Sequence, residues 1–277
     1  MNRKFFSFND GSCSRAGPEY RKKTLLRLAA LIRENTAVIL LESPGSLTFE
    51  IQDIPAISAA ARARGVITIV DNTWSAGLTC NPLTLGADIV THSATKYFGG
   101  HGDLLFGAAL CADAKHGAKI AATAKQMGVS SSPDDAYQVL RGFRSVTTRF
   151  AQQERTAEEL AHWLQSQDQV LDVLHPALDT HPDHALWARD FSGGGCLFSV
   201  VLSPRSTPDV DRFINALTLF GIGYSYGGFE SLAIHCDPQL KRRFGEKFAG
   251  PIVRFACGLE HVDDLKADLE QAFAQIS

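Results

Sequence analysis

The feature that most constrains the fold is a pair of nearly continuous apolar runs separated by a helical segment. Residues 37–41 and 66–70 each have the length of a strand, and Thr68 is the single polar side chain in the two runs together. Residues 54–64 between them are rich in alanine, with Asp53 as a predicted N-cap, Pro55 in the first turn and Gly65 at the end. Buried strands joined by a helix are typical of an α/β layer with a mostly parallel sheet.

A different pattern begins near residue 140. Residues 134–165 predict one long, charged, amphipathic helix that connects two domains, which we place at residues 1–142 and 143–277. The second domain is predicted to be a smaller α+β unit. Beside the strands at 88–91 and 104–111 in the first domain, we predict strands at 170–174, 197–202 and 252–255 and helices at 208–219 and 262–276. Residues 1–29 show no period, and within them 12–17 favour a loop and 21–23 form a short basic run.

Composition excludes several classes of function. The 277 residues carry 27 basic and 30 acidic side chains, so the net charge of −3 gives no reason to expect a nucleic-acid partner. No apolar run approaches the roughly 20 residues of a membrane helix, and the N-terminus is too polar for a secretory signal. Six separated cysteines without zinc spacing indicate free thiols and no metal site. We therefore expect a cytoplasmic protein without membrane contact.

Polar side chains follow two of the predicted strands. Asp71 comes directly after residues 66–70, and Ser93, Thr95 and Lys96 come after residues 88–91. Ligands of α/β sheets bind beyond the carboxyl ends of the strands, so these groups could face one crevice. Pyridoxal phosphate needs a lysine amine, a carboxylate for its ring nitrogen and donors for its phosphate. On spacing alone, a surface ion pair between Lys96 and Asp71 is the favoured interpretation, because one lysine and one aspartate at strand ends are common.

The segment Ala87–Asp103, ADIVTHSATKYFGGHGD, resembles the lysine signature of the Cys/Met-metabolism family of pyridoxal-phosphate enzymes. Further stretches are similar to other blocks of that family, in the same order along the chain: residues 41–46, 70–74, 141–145, 224–232 and 253–260. The resemblance covers roughly residues 30–277. It implies an α/β fold of fold type I, like that of aspartate aminotransferase, with a large domain incomplete at its N-terminus and a smaller C-terminal domain. The turn at residues 42–46 favours the β-lyase branch, which usually has tryptophan where Tyr226 stands.

The resemblance also implies roles for individual side chains. Lys96 would bind the cofactor aldehyde and then serve as base and acid, Asp71 would pair with the ring nitrogen, and Ser93 and Thr95 would bind the phosphate. Arg254 would hold the substrate carboxylate, with Ser225 and Tyr226 lining the pocket beside it. The implied partners are a small sulfur amino acid and further copies of the chain, as a homodimer or homotetramer. The implied reaction is β-elimination of L-cystathionine to homocysteine, pyruvate and ammonia.

A serine hydrolase is the alternative from another class of enzyme. Residues 223–227 match the G-x-S-x-G pattern around Ser225, and Asp237 and His261 follow in the order of an α/β-hydrolase triad. That pattern needs a helix directly after the serine, whereas Gly227 and Gly228 disfavour one. The context therefore favours the pyridoxal-phosphate interpretation.

A second alternative concerns the beginning of the chain. Members of the family carry a long stretch before the first block matched here, with a tyrosine stacked on the cofactor, glycine-rich phosphate contacts and a Tyr/Arg pair that reaches the neighbouring subunit. Residues 1–36 contain no recognisable counterpart of these features. The resemblance thus also allows a catalytically impaired, N-terminally truncated family remnant, in which a sheet edge and an apolar face would be uncovered.

Overall fold

The computed structural model describes the backbone of residues 4–7 and all of residues 31–241 and 247–276. The predicted loop at 12–17 and the basic run at 21–23 lie outside these residues. In chain order the described elements are β1 (Lys4–Ser7), β2 (Thr36–Glu42), α1 (Ile54–Arg62), β3 (Ile67–Asp71), β4 (Ile89–Ser93), β5 (Gly107–Cys111), α2 (Ala114–Gln126), α3 (Pro133–Phe143), α4 (Val146–Leu164), β6 (Val170–Leu174), α5 (His184–Asp190), β7 (Leu197–Leu202), α6 (Thr207–Ala216), β8 (Gly221–Ile222), β9 (Leu232–His235), β10 (Ile252–Ala256) and α7 (Val262–Phe273).

The first sheet has the strand order β1-β2-β3-β4-β5. Strands β1 to β4 run parallel, and β5 is antiparallel to β4, which confirms the mostly parallel sheet predicted from the apolar runs. The register pairs Glu42 with Asp71 and Asp71 with Thr91. The carboxyl ends of β2, β3 and β4 therefore lie side by side at one edge, where α/β folds place their ligands.

Helix α1 shows the caps that the sequence predicts. The Asp53 side chain accepts a hydrogen bond of 3.2 Å from the Ala56 N–H, and Pro55 lies in the first turn. The helix ends at Arg62, two residues earlier than predicted, and the chain reverses at Gly65, whose φ of +66° favours glycine. Its buried residues, Ile54 among them, pack with β2 and β3 in one apolar cluster. That cluster fixes α1 against the sheet.

The second sheet has the order β6-β7-β10-β9-β8 and is antiparallel except between β8 and β9. Strands β7 and β10 are buried along their whole length, so helices cover this sheet as well. The antiparallel sheet with its helices agrees with the predicted α+β character of this half. The boundary at residues 142 and 143 stays a prediction.

The single long helix predicted over residues 134–165 is wrong, because the chain forms α3 and α4 with a break at residues 144 and 145. The carbonyl oxygen of Gly142, which a continuous helix would offer to Val146, instead accepts hydrogen bonds from Ser145 and Arg149. A Cβ at Gly142 would lie 2.3 Å from the carbonyl oxygen of Gly99. The helix thus ends because its last turn is pressed against the turn that follows β4.

A continuous apolar core joins the second sheet to the turns that follow β3 and β4. The indole N–H of Trp74 donates to the Leu197 carbonyl at 3.1 Å, and the Ser199 hydroxyl donates to the Leu47 carbonyl at 2.7 Å. Trp74 and Tyr97 belong to the same buried cluster as β7 and β10. The carboxyl edge of the first sheet is therefore closed on one side by the second sheet.

No helix among the described residues is long and apolar enough to cross a membrane. The five described cysteines are free thiols, and all but Cys111 are buried. This agrees with the thiol state expected from their spacing.

Candidate active site

Asp71 is the last residue of β3 and lies at the carboxyl ends of the parallel strands of the first sheet. Its Oδ1 accepts a hydrogen bond of 2.9 Å from the Thr73 N–H, so the carboxylate is held over the turn that leaves the strand. The Thr73 hydroxyl in turn accepts a hydrogen bond of 2.8 Å from the Ser93 N–H at the end of β4. These bonds tie the two strand ends together and bring Asp71 close to the segment that carries Lys96.

The backbone of the lysine turn is held by its own hydrogen bonds. The Lys96 N–H donates to the Ser93 carbonyl at 3.0 Å, and the Gly100 N–H donates to the Lys96 carbonyl at 2.7 Å. The Thr95 hydroxyl accepts from the Phe106 N–H at 2.9 Å and donates to the Phe106 carbonyl at 3.3 Å. Thr95 thus fastens this turn to the chain before β5, which is a different contact from the phosphate contact that the resemblance implies.

The Lys96 side chain is half-buried and reaches the segment between β8 and β9. Its Nζ lies 2.9 Å from the Ser225 Oγ and 5.1 Å from the centre of the Tyr226 ring. Burial lowers the pKa of this amine, and the positive charge of Arg254 lowers it further. An amine that is buried beside another cation loses its proton more readily, as a nucleophile or general base requires.

Arg254 stands in the middle of β10 and is only 5% exposed. Its Nη2 donates to the Tyr224 carbonyl at 2.7 Å. Burial lowers its pKa from the usual value, and nearby acidic groups oppose that change. An arginine keeps its charge in such surroundings, so the remaining N–H donors suit the carboxylate of an amino acid.

The Asp71 carboxylate lies near the rings of Tyr226 and His92. Burial raises the pKa of the Tyr226 phenol well above its usual value, and the Asp71 carboxylate raises it further. The same carboxylate raises the pKa of His92, although burial lowers it more strongly. Lys96 therefore lies beside Ser225, Tyr226 and Arg254, and Asp71 lies near Tyr226.

Sequence reasoning missed three residues that surround the lysine turn. The Tyr97 hydroxyl contacts Cys196 at the start of β7. The Arg149 Nη2 donates at 2.8 Å to the carbonyls of both Tyr97 and Gly142. Tyr97 could have been suspected because it follows Lys96 directly, whereas Arg149 and Cys196 are distant in sequence and carry no local signal.

The donor set fits pyridoxal phosphate. The Lys96 amine has a lowered pKa and bonds to a hydroxyl rather than a carboxylate, which suits an amine that must react with an aldehyde. Asp71 supplies a carboxylate at the end of β3, and Ser93 supplies a hydroxyl at the end of β4. Arg254 adds positive charge where the carboxylate of a substrate would lie.

The residues of the hydrolase alternative make separate contacts. Ser225 is bonded to Lys96, while the Asp237 carboxylate accepts the Ile252 N–H and lies 3.5 Å from His235. His261 accepts the Asp263 N–H at the start of α7 and is largely exposed. The segment after Ser225 leads to β9 rather than to a helix. This geometry does not support a nucleophile elbow at Ser225.

Comparison with known proteins shows the family to which the chain belongs. Residues 19–274 match the sequence profile of the Cys/Met metabolism PLP-dependent enzymes. The chain belongs to this family. It therefore has the fold-type-I α/β architecture expected from the motifs, and pyridoxal 5′-phosphate is the cofactor of the family.

Individual relatives show how far the similarity extends. A putative cystathionine β-lyase of Rhizobium johnstonii is 42% identical, with 98% of this chain and 70% of the relative covered. The cystathionine β-lyase of Bordetella avium is 44% identical, with 88% and 62% covered. The structure of cystathionine γ-lyase from Lactobacillus plantarum matches with a TM-score of 0.84 at 29% identity, with 91% and 67% covered. The chain thus spans about two thirds of the length of these relatives.

Proposed function

We propose that this chain is a carbon–sulfur lyase that cleaves L-cystathionine to homocysteine, pyruvate and ammonia. The observation that carries the proposal is the Lys96 amine, held by Ser225 beside the buried Arg254 at the strand end next to Asp71. The similarity to two proteins described as cystathionine β-lyases supports the choice of substrate. The turn at residues 42–46 and the aromatic ring at Tyr226 support the β-lyase over the γ-lyase.

In the proposed reaction the cofactor supplies an electron sink for the carbanion formed at the substrate Cα. Asp71 would hold the proton on the ring nitrogen, and Ser93 would bind the phosphate; we keep Thr95 as a second phosphate ligand, although its hydroxyl contacts Phe106. Arg254 would bind the substrate carboxylate through two N–H donors and so orient the Cα–H bond.

Lys96 would carry the proton. With a lowered pKa its amine can take the proton from Cα, and as an ammonium it can then deliver a proton to the sulfur that leaves Cβ. The Ser225 hydroxyl at 2.9 Å keeps the amine on this path, and Tyr226 limits the water that reaches it. Water enters later, when the released enamine is hydrolysed to pyruvate and ammonia.

The proposal includes a homo-oligomer. Apolar side chains are exposed on or near α2, α3 and the edge strand β5, with Leu105 87% and Tyr137 66% exposed. Contact between copies would remove this surface from water. Light scattering is expected to give a dimer or tetramer mass, and a monomer at micromolar concentration would contradict this part of the proposal.

The identity of the 2-oxo acid tests the reaction. The purified protein, supplied with pyridoxal phosphate and L-cystathionine, is expected to release pyruvate and homocysteine. Release of mainly 2-oxobutyrate and cysteine would indicate γ-elimination and contradict the proposal. A Lys96→Ala variant, shown to be folded by circular dichroism, serves as the control and is expected to form neither acid. A folded parent chain that binds no cofactor would favour the impaired remnant.

A further inference from the structure

A buried pair of side chains lies directly behind Lys96. The Tyr97 hydroxyl lies 3.1 Å from the Cys196 Sγ and accepts a hydrogen bond of 2.9 Å from the Cys196 N–H. Tyr97 is 1% exposed and Cys196 is fully buried. Tyr97 belongs to the lysine turn and Cys196 to the glycine-rich turn before β7, so the pair joins the two halves of the molecule.

The other side of Tyr97 supports the segment of residues 224–228. Its ring meets the Tyr226 ring edge to face, with 5.7 Å between the ring centres and 73° between the planes. Gly227, with a φ of +72°, packs so closely that a Cβ there would lie 2.8 Å from the Tyr97 nitrogen. The same segment carries Ser225, which bonds to the Lys96 amine. A continuous line of contacts therefore runs from Cys196 through Tyr97 to the surroundings of the amine.

We propose that Tyr97 and Cys196 are a positioning pair, which holds the segment of residues 224–228 against Lys96 and keeps water away from its amine. Neither residue acts on a substrate. The inference rests on the proposed function only in taking Lys96 as the reacting amine. It can be tested through the pKa of the Lys96 amine, which is measured without enzymatic turnover.

The pair consists of neutral groups near neutral pH. Burial raises the pKa of the Cys196 thiol to about 11, and burial also raises that of the Tyr97 phenol well above its usual value. The hydroxyl therefore remains a donor and the thiol an uncharged acceptor. The groups that face the amine are Arg254 from β10, Ser225 and Tyr226 from the segment, and Cys196 from the turn before β7. Asp71 faces Tyr226 from β3.

Loosening the segment has a defined consequence for Lys96. Burial is the main cause of its lowered pKa, and Arg254 is the second. Cys196 acts in the opposite direction, but only as a thiolate, and its pKa of about 11 keeps it a neutral thiol where the amine titrates. The Arg254 guanidinium donates to the Tyr224 carbonyl in the same segment, so movement of the segment both admits water and loosens this cation beside the amine. The pKa of the amine should then rise towards the ordinary value of 10.5.

The test is competitive labelling of the cofactor-free full chain with acetic anhydride over a pH series, with the extent of reaction at Lys96 read by mass spectrometry. Tyr97→Phe and Cys196→Ala each remove one partner, and the pKa of Lys96 is expected to rise by about one pH unit in both. The double variant is expected to show no larger rise, because both changes break the same contact. Cys196→Ser keeps a hydroxyl acceptor and is expected to restore the parent value. Cys80→Ala removes a buried thiol elsewhere and serves as the matched control.

Two results would overturn the inference. One is an unchanged Lys96 pKa in both single variants, whatever happens to their thermal stability, since that would make the pair a packing contact only. The other is an equal rise in Cys196→Ser and Cys196→Ala, which would assign the effect to side-chain volume. If Cys196→Ala fails to fold, Tyr97→Phe, which keeps the ring, decides between the same outcomes. Failure of the lyase assay would leave these results interpretable.

Discussion

At the scale of single residues, the chemistry of the site depends on two neighbours of the Lys96 amine, Ser225 and Arg254. Ser225 offers it a hydrogen bond of 2.9 Å, and Arg254 lowers its pKa by charge after burial has done so. The two effects differ in kind, because the Ser225 hydroxyl orients the Lys96 amine, whereas the buried Arg254 cation changes the proton affinity of that amine. Substitutions at these positions should therefore change different kinetic constants.

Ser225→Ala should lower kcat and leave KM nearly unchanged. The hydroxyl directs the amine without binding the substrate strongly, and its loss should cost about 1 kcal/mol, or roughly a fivefold to tenfold fall in kcat. The measurement is the steady-state rate of pyruvate release. An unaltered kcat would show that the contact between Ser225 and Lys96 is incidental, and Ser225→Thr, which retains a hydroxyl, is the control.

Arg254→Lys should raise KM. The ammonium keeps one positive charge but cannot form two parallel hydrogen bonds with a carboxylate, so KM should rise roughly tenfold or more. Substrate titrations of the variant and the parent provide the measurement. Equal KM values would contradict the assignment of Arg254 as the carboxylate ligand.

Motifs predict the side chains of the site, but they do not predict the contacts that hold those side chains in place. The motifs predict one site from Lys96, Asp71, Arg254, Ser225 and Tyr226. The structure places Ser225, Tyr226 and Arg254 beside Lys96 and Asp71 near Tyr226, and the roles of these residues stay predictions. Tyr97 and Cys196 are in contact although they lie 99 residues apart in the sequence, and no local sequence pattern predicts such a contact. The contact of Thr95 with Phe106 is likewise not predictable from local sequence, because it depends on how the chain returns to form β5.

At the scale of elements, α3 is held against the lysine turn by the absence of a side chain at Gly142. A Cβ there would meet the carbonyl oxygens of Phe98 and Gly99 at 2.3 Å. Backbone atoms cannot move aside as the end of a flexible side chain can. The position of α3 and the shape of the turn that carries Lys96 are therefore coupled.

Gly142→Ala should lower the free energy of unfolding by about 2 kcal/mol or more, because relief of the clash must separate α3 from the lysine turn. Urea unfolding followed by circular dichroism measures the change. Gly117→Ala is the matched control, because Gly117 lies within α2 with nothing near its Cβ position, and alanine there should raise stability by about 0.5–1 kcal/mol. Similar stability changes in both variants would contradict the close packing at Gly142.

Local patterns predicted the elements that bury an apolar face and missed several that do not. Strands β2 and β3 and helix α1 were placed to within a few residues because their periods and caps agree. Helix α2 was not predicted, and in the structure it buries no side chain. Strand β9 has four residues and is defined by pairing with β10. The break between α3 and α4 follows from contact with a distant turn, whereas the amphipathic pattern continues across it.

At the scale of the whole molecule, a single apolar core connects the second sheet to the turns after β3 and β4. His175 lies in this core, is fully buried, and contacts the rings of Trp74 and Phe198. Burial lowers its pKa from 6.5 to about 4. An imidazole that resists protonation in the folded state links the stability of the whole core to pH.

The free energy of unfolding should fall between about pH 6.5 and pH 4. In this range the unfolded chain binds a proton at His175 and the folded chain does not, so acidification favours unfolding by up to about 3 kcal/mol. His175→Asn, which keeps an acceptor for the Ala177 N–H, should reduce the difference in stability between pH 7 and pH 4 by that amount. The exposed His261→Asn is the control. Equal pH dependence in parent and His175→Asn would exclude His175 as its source.

The position of the covalently bound cofactor shows directly whether the site is built around Lys96. The full chain is incubated with pyridoxal phosphate, reduced with borohydride and digested, and the modified lysine is located by mass spectrometry. We predict one phosphopyridoxyl group per chain, on Lys96, and none in the folded Lys96→Ala variant. A group on another lysine, or no group on a folded parent chain, would contradict the account.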